Sequence, residues 1–459
     1  MQPDQIDQKP AGFDEREVNY THNHKTFLSV LSGGRRADAI APETGEVGIR
    51  LERILVDHVR QQPVSFEGDT GIEAVLTRLH DRLSAFDEEH GDGHLTGLVG
   101  SLISARGIIV GVRVTLGAGG QIVYEVGPCT HLAEILQAIE HLDRQLHVTT
   151  HGMGCDYDLV AEGYNPFVQA PLDVALVPRT RYTLLNAYLA QTGRYARDMM
   201  RCCCATQISL DYARGRSGID AYRIAVALSP IFMFLTDNVR SFRFSGARRC
   251  PRMTRSLVWE EVDPARCGVV PGTFAEGFNT TTYLNWLESL RPILFTDSLG
   301  HTTSTGKRTL REVMGDRVFT GSEALGLFTT VYPNVRLGRR MELLQADSLR
   351  PRMAVGYAAF VKGIFCNPLA LDSAADLIGQ VTDEDVSLAS YELRVRGWDA
   401  IIYGRPASQI VSALITIARN GIGNTEELAL LNVIAELWDF TMVPRDAYVH
   451  QEEKAARGW

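Results

Sequence analysis

The sequence is poor in the features that mark several large protein classes. It has only 8 cysteines in 459 residues and no Cys-x-x-Cys pair, which argues against a disulfide scaffold, a zinc ribbon or a dithiol redox site. Cys202, Cys203 and Cys204 are consecutive, so on a strand they face alternate sides and do not chelate one metal together. Basic charge is in deficit: the net charge is −9 and the pI is near 5.8, whereas a general nucleic-acid binder needs basic surface for phosphates. No apolar run approaches the ~18 residues expected of a membrane helix. The N-terminal stretch MQPDQIDQKPAGFDERE is polar and acidic, unlike a secretory signal. Internal repeats and low-complexity tracts are absent. The expectation is a cytoplasmic protein that meets neither nucleic acid nor membrane.

What is present is an ordinary globular composition, 45% hydrophobic and 22% charged. The stretch Val110–Pro128 (VGVRVTLGAGGQIVYEVGP) reads as two strands around a glycine-rich turn. Val110, Val112, Val114 and Leu116 alternate on the first strand, and Ile122, Tyr124 and Val126 on the second, the signature of strands with one face on a core. The other face then carries Arg113, Thr115, Gly117, Gln121, Val123 and Glu125. Around this hairpin, 1–25 reads as a flexible tail, 46–56 as a strand, 71–86 as a helix and 87–95 as a polar loop. Further on, 130–146 and 182–200 read as helices, 202–212 as a strand, 221–235 as a helix and 242–255 as a basic loop. The 334–347 stretch reads as a strand with Arg336, Arg340, Glu342 and Leu344 on one face. Helices dominate from Pro351, at 352–365, 373–380, 406–420 and 424–439. Three regions follow: a tail over 1–25, a core over 26–350, and a helical region over 351–459 packed on that core. The class is α+β.

The order of the motifs is more specific than any one of them. GxRxE at 48–52, LGAGGQ at 116–121, Arg181-Tyr182, QxSLD at 207–211, Arg255 with Trp259, DPARCG at 263–268 and PNVRLxxxxEL at 333–343 occur in series. That series resembles the glutamate–cysteine ligases of plants and many bacteria, with their carboxylate–amine ligase relatives, over roughly 45–365. The resemblance implies a glutamine-synthetase-like core, a curved antiparallel sheet forming a funnel with helices outside. It also implies ATP-driven phosphorylation of a carboxylate, attack by an amine, and divalent cations held by carboxylates.

The chain departs from the family pattern at acids. Where the family has Gly-x-Glu-x-Glu, this chain has Gly48, Ile49, Arg50, Leu51 and Glu52. Where the family has Leu-Glu-Pro-Gly-Gly-Gln-x-Glu, this chain runs from Leu116 through Gly117 and Gln121 to Val123. An arginine usual two places after the Glu342 position is Leu344 here, and an upstream histidine is Leu327. Kept are Arg181, Tyr182, Gln207, Asp211, Arg255, Trp259, Asp263, Arg266, Arg336 and Glu342.

The resemblance therefore implies a reduced Mg²⁺ site made of Glu52, Glu125 and Glu342, which the residues alone read instead as ordinary strand carboxylates paired with Arg50, Arg336 or Arg340. Arg255, Arg336 and Glu342 would act in catalysis, the arginines stabilising charge on phosphates or acyl phosphate. Arg50, Gln121, Arg181, Gln207, Asp211, Trp259 and Arg340 would bind substrate or nucleotide. The implied cofactors are ATP and Mg²⁺; the implied partners are amino-acid-like molecules, a carrier-bound substrate or a second copy of the chain. An alternative stands beside this. The loss of acids is equally expected of a ligase-fold protein that binds or transforms an acidic or aminoacyl metabolite without ATP, or serves as a non-catalytic subunit. His147 and His151 have i, i+4 spacing, but Thr149, Thr150 and Gly152 speak against a helix and so against a metal there. Arg248, Arg249 and Arg252 read as a solvated loop that closes over ligand. Cys203 has no base partner in sequence.

Overall fold

The computed structural model describes residues 14–32, 45–211, 216–242, 250–438, 444–446 and 448. Its centre is an antiparallel sheet of ten strands. The longest, β1 (Val47–Asp57), is flanked by β6 (Ile122–Cys129) on one side and β8 (Ala205–Leu210) on the other. Beyond β6 come β5 (Ile109–Leu116), β4 (His94–Ile103) and β3 (Asp87–Gly91); beyond β8 come the strands Met341–Asp347 and Val335–Arg336. The far end of β1 pairs instead with β2 (Gln62–Pro63) and β7 (Tyr157–Val160). The architecture is α+β.

Alternation decides which face is which. Ile49, Leu51, Val112, Val114, Tyr124, Val126, Ile208 and Leu210 are all buried in one cluster. That face is covered by α2 (Ile72–Arg82), α3 (Leu132–Gly152), α6 (Arg216–Thr236) and the helix Pro351–Phe365. Each such side chain contributes about 1.5–3 kcal/mol on burial, and a one-residue slip of any strand would turn the whole set to the other face. Register is therefore fixed by the core, and with it the row of polar residues opposite. Gly218–Thr236 within α6 is long and apolar enough to cross a membrane, but 83% of it is buried inside the protein. It escapes a scan for unbroken apolar runs because Asp220, Arg223 and Pro230 interrupt it.

Several expected elements differ. The tail begins its order early: α1 (Glu15–Leu31) starts at an Asp14 N-cap and buries Phe27 edge-on against Phe319 and Phe328. The 87–95 segment is β3 and its turn into β4, where Asp92 (φ 54°) and Gly93 (φ 88°) form the two-residue loop, the Asp-Gly hairpin signal. The 182–200 helix is two, α4 (Thr180–Leu189) and α5 (Ala196–Cys202). Between them Gly193 lies against backbone: a Cβ there would sit 2.0 Å from the Glu261 carbonyl oxygen. The basic loop ends inside α7 (Thr254–Glu260), which carries Arg255 and Trp259; Arg248 and Arg249 lie outside the described residues, and Arg252 donates to the carbonyls of Arg394 and Val395. The 334–347 strand is a hairpin that places Arg340 in its turn. An additional helix, Asp383–Arg396, has a Thr382/Asp385 capping box.

Candidate functional site

A cleft of about 1000 Å³ opens on the polar face of the sheet. The register aligns its floor in a transverse row: Arg113 opposite Glu125, Glu125 opposite Arg50, and Arg50 opposite Gln207. A parallel row joins Gly48, Ser209, Glu342 and Arg336. Residues from α4 and α7, with Tyr332 and Asn334, complete the walls.

Charges on the β1 side are mutually compensated. Arg50 Nε donates to Glu52 Oε1 at 3.2 Å, and Arg50 Nη1 donates to Glu125. Glu125 also faces Arg113 Nη1 at 3.4 Å, while Arg113 Nε holds Glu89 at 2.7 Å. Glu52 Oε2 accepts from the Ala205 amide at 3.1 Å. Burial opposes the charge on Arg50, but Glu52 and Glu125 outweigh it and hold the guanidinium above its ordinary value. Arg336 Nη1 donates to Glu342 Oε2 at 2.6 Å, with Nη2 on the Val331 carbonyl.

The opposite side is different. Arg255, 4% exposed, has no carboxylate hydrogen-bonded to it among the described residues. Its Nη1 and Nη2 donate to the carbonyls of Gln345 (2.9 Å) and Leu344 (3.1 Å), and its guanidinium lies 5.7 Å from the Trp259 ring centre. Arg255 Nε, Trp259 Nε1 and both amide atoms of Gln345 are buried without a hydrogen-bond partner among the described residues. Buried polar atoms are normally paired, so this corner holds unused hydrogen-bonding capacity. Cys203 lines the cleft, but burial pushes its thiol well above its ordinary range despite Arg255. It is therefore a poor nucleophile.

Of the residues expected from sequence, Arg50, Glu52, Gln121, Glu125, Arg181, Gln207, Arg255, Trp259, Arg336 and Glu342 line the cleft. Asp211 and Arg340 are not among its lining residues. Both meet Glu46: Arg340 Nη2 donates to its carboxylate at 2.7 Å, and the Asp211 backbone N–H donates to its backbone carbonyl at 3.2 Å. Gln121 borders the cleft but is engaged internally. Its Oε1 accepts from the Gly119 amide (2.8 Å), and its Nε2 donates to the Met200 and Cys203 carbonyls (3.3 and 3.2 Å). Arg181 Nη2 donates to Thr329 Oγ1 at 2.7 Å. Asp263 and Arg266 form a buried pair at 2.6 Å that ties Tyr188 and the Arg291 and Thr330 carbonyls together behind the wall.

His147 and His151 do share a helix, because the Thr149 and Thr150 hydroxyls bond back to the Gln145 and His147 carbonyls. Their rings stack 6.3 Å apart on an exposed face. Arg113 and Gln345 also line the cleft without having been singled out from sequence. Arg113 was legible from strand alternation. Gln345 was not, because it sits at a break in that alternation.

The expected Mg²⁺ set does not fit these residues. Glu52, Glu125 and Glu342 are each bonded to an arginine, and among the described residues no three His, Cys, Asp or Glu side chains come together as a metal-holding group. Divalent cations need several convergent anionic oxygens; here a guanidinium stands between two of the three acids.

Comparison with known proteins agrees with the motif order. The sequence profile of glutamate-cysteine ligase family 2 (GCS2) matches residues 46–416. The chain is 23% identical over 333 residues to the chloroplastic glutamate–cysteine ligase of Brassica juncea, covering 71% of this chain and 64% of that protein. It is 23% identical over 315 residues to glutamate–cysteine ligase B, chloroplastic, of Oryza sativa subsp. japonica, covering 67% of this chain and 62% of that one. For the chloroplastic enzyme of Arabidopsis thaliana the values are 22% over 333 residues, 71% and 63%. The chain thus spans less than two thirds of the length of these relatives. With a match running through most of its length, the chain belongs to glutamate-cysteine ligase family 2.

Proposed function

We propose that this protein is an ATP-dependent carboxylate–amine ligase, built on a glutamine-synthetase-like curved sheet. In this reading a carboxylate oxygen of a glutamate-like acid takes the terminal phosphoryl group of ATP and ADP leaves. An amine nitrogen then attacks the acyl carbon, phosphate leaves, and an amide bond remains. The observation that carries the reading is the set of arginines kept at family positions around one cleft. Arg255, with no anionic hydrogen-bond partner among the described residues, is the residue best placed to hold a carboxylate or phosphate oxygen. Arg336, bound to Glu342, supplies a second positive edge, and Glu342 orients it. Trp259 and Gln207 border the bound acid. None of the eight cysteines is joined in a disulfide, which suits a reducing compartment such as the cytoplasm.

One observation favours a second reading: every acid proposed for metal already has an arginine partner. On that reading the cleft binds an acidic or aminoacyl metabolite and does not consume ATP. Titration calorimetry with ATP, with and without Mg²⁺, separates the two, followed by incubation with ATP, L-glutamate and a panel of amines. The ligase reading expects micromolar nucleotide binding together with ADP and a new amide by mass spectrometry. No nucleotide heat and no ADP from folded protein that still binds L-glutamate overturns it in favour of the second.

A further inference from the structure

The strand Met341–Asp347 pairs with β8 at Leu343–Ile208 and again at Ala346–Thr206. Two residues, Leu344 and Gln345, therefore stand opposite the single residue Gln207. This is a β-bulge, a device that bends a strand and re-aims a side chain next to functional sites. Arg255 fixes the bulge by donating to both of its carbonyls. Gln345 is 4% exposed, lines the cleft, and has neither Nε2 nor Oε1 in a hydrogen bond to a described residue. A carboxamide buried with both ends unpaired costs free energy in the unliganded protein, and a matching ligand recovers it.

The unpaired atoms define what matches. Around this corner Arg255 Nε, Trp259 Nε1 and Gln345 Nε2 are donors, and Gln345 Oε1 is the acceptor. A carboxylate satisfies the donors but leaves Oε1 facing negative charge. An ammonium satisfies Oε1 but leaves the donors unpaired, and the neighbouring Arg255 guanidinium repels it. An uncharged group with both a carbonyl oxygen and an N–H satisfies both ends of the Gln345 amide. Leu344 beside it adds no charge.

We propose that Gln345 is a specificity-determining contact that reads an uncharged carboxamide on one of the molecules held in the cleft. The proposal rests on the cleft being the ligand site, as in the reading above, but not on ATP turnover.

Calorimetry of the full chain with two ligand pairs, L-glutamine against L-glutamate and L-asparagine against L-aspartate, tests it without nucleotide. The amide of at least one pair is expected to bind about tenfold or more tightly than its acid, the scale of one hydrogen-bonding mismatch in a buried site. Gln345→Leu is expected to erase that preference while its melting temperature stays level or rises, because the side-chain amide it removes makes no hydrogen bond among the described residues. Equal or acid-favouring affinities in both pairs, no binding of either amide, or a preference that survives in Gln345→Leu overturns the proposal. A protein that prefers the amide but forms no ADP would overturn the ligase reading alone.

Discussion

On the β1 side of the cleft Arg50 bridges Glu52 and Glu125, and Arg113 bridges Glu125 and Glu89; on the Met341–Asp347 side Arg255, Trp259 and Gln345 keep polar atoms with no partner among the described residues. Arg50 and Gln345 stand on strands of one sheet, α7 brings Arg255 and Trp259 beside Gln345, and all line one cavity, so the contrast is chemical. Arginine in place of an acid turns a set of carboxylates that would need a cation into a closed network satisfied by the chain itself. The other side is left with capacity that no described residue uses. The chain's departures from the family pattern thus fall mainly on acids, while the polar atoms left open belong to Arg255, Trp259 and Gln345.

The largest expected effect comes from the far end of the second wall's strand. Asp347 is buried, and burial together with Asp237 pushes its carboxyl up to about 8, against the pull of Arg255, the Asn238 amide and Arg445. An unfolded aspartate titrates near ~3.9, so the native state binds this proton more tightly than the unfolded chain does. The stabilisation is fully present below about pH 4 and is lost as pH rises through about 8. Urea unfolding from pH 5 to 9 should show stability falling by a few kcal/mol, on the order set by a shift of this size. Asp347→Asn, whose side-chain oxygen can still accept from the Asn238 amide, should flatten the slope. A wild-type profile already flat across that range would show that the strand's buried end is as well compensated as the β1 wall.

Arg50→Glu attacks the contrast from the other side. It removes the bridging cation and leaves a third carboxylate beside Glu52 and Glu125. Arg50 and Glu125 are each 33% exposed at the side chain, so solvent screening reduces the cost of a broken ion pair to roughly 2 kcal/mol. Addition of Mn²⁺ or Mg²⁺ should recover much of the lost melting temperature, because three acids would then face one point. A variant that is destabilised but indifferent to either cation would show that removing Arg50 does not by itself restore a metal site. Restoring the family glutamate at Gly117 is a poorer route: a Cβ there would lie 2.3 Å from Gln121 Oε1, which holds the Gly119 amide.

How much of this was legible in the sequence follows from the same physics. Alternation located β1, the β5–β6 hairpin and β8, and with them Arg50, Glu125 and Gln207, because a period of two leaves no freedom about which face a side chain takes. It failed where the backbone breaks the period. The bulge hid Gln345. The turn between Arg336 and Glu342 carried Arg340 out of line, and the close approach at Gly193 divided one predicted helix into two. Motif order found Arg255 and Trp259, but not which arginine each acid would meet: Arg50 takes Glu52 on its own strand and Glu125 on the next, and Arg336 takes Glu342 across the hairpin. That pairing is set by cross-strand register, which emerges only when the sheet is assembled.

Arg340 offers the smallest effect and the cleanest check on where the site ends. Strand periodicity grouped it with Arg336 and Glu342, whereas the hairpin turn directs it to Glu46 at 2.7 Å, with side chains 25% and 34% exposed. A partly exposed pair of this kind contributes about 0–1 kcal/mol, and Arg340 is not among the residues lining the cleft. Arg340→Ala should lower the melting temperature by no more than a few degrees, leave the affinity for L-glutamate or L-glutamine within twofold, and make stability slightly less sensitive to salt. A large loss of ligand affinity with the fold intact would move the boundary of the site past the hairpin. Glu46 and Asp211, whose backbones meet there at 3.2 Å, would then join the ligand-binding wall.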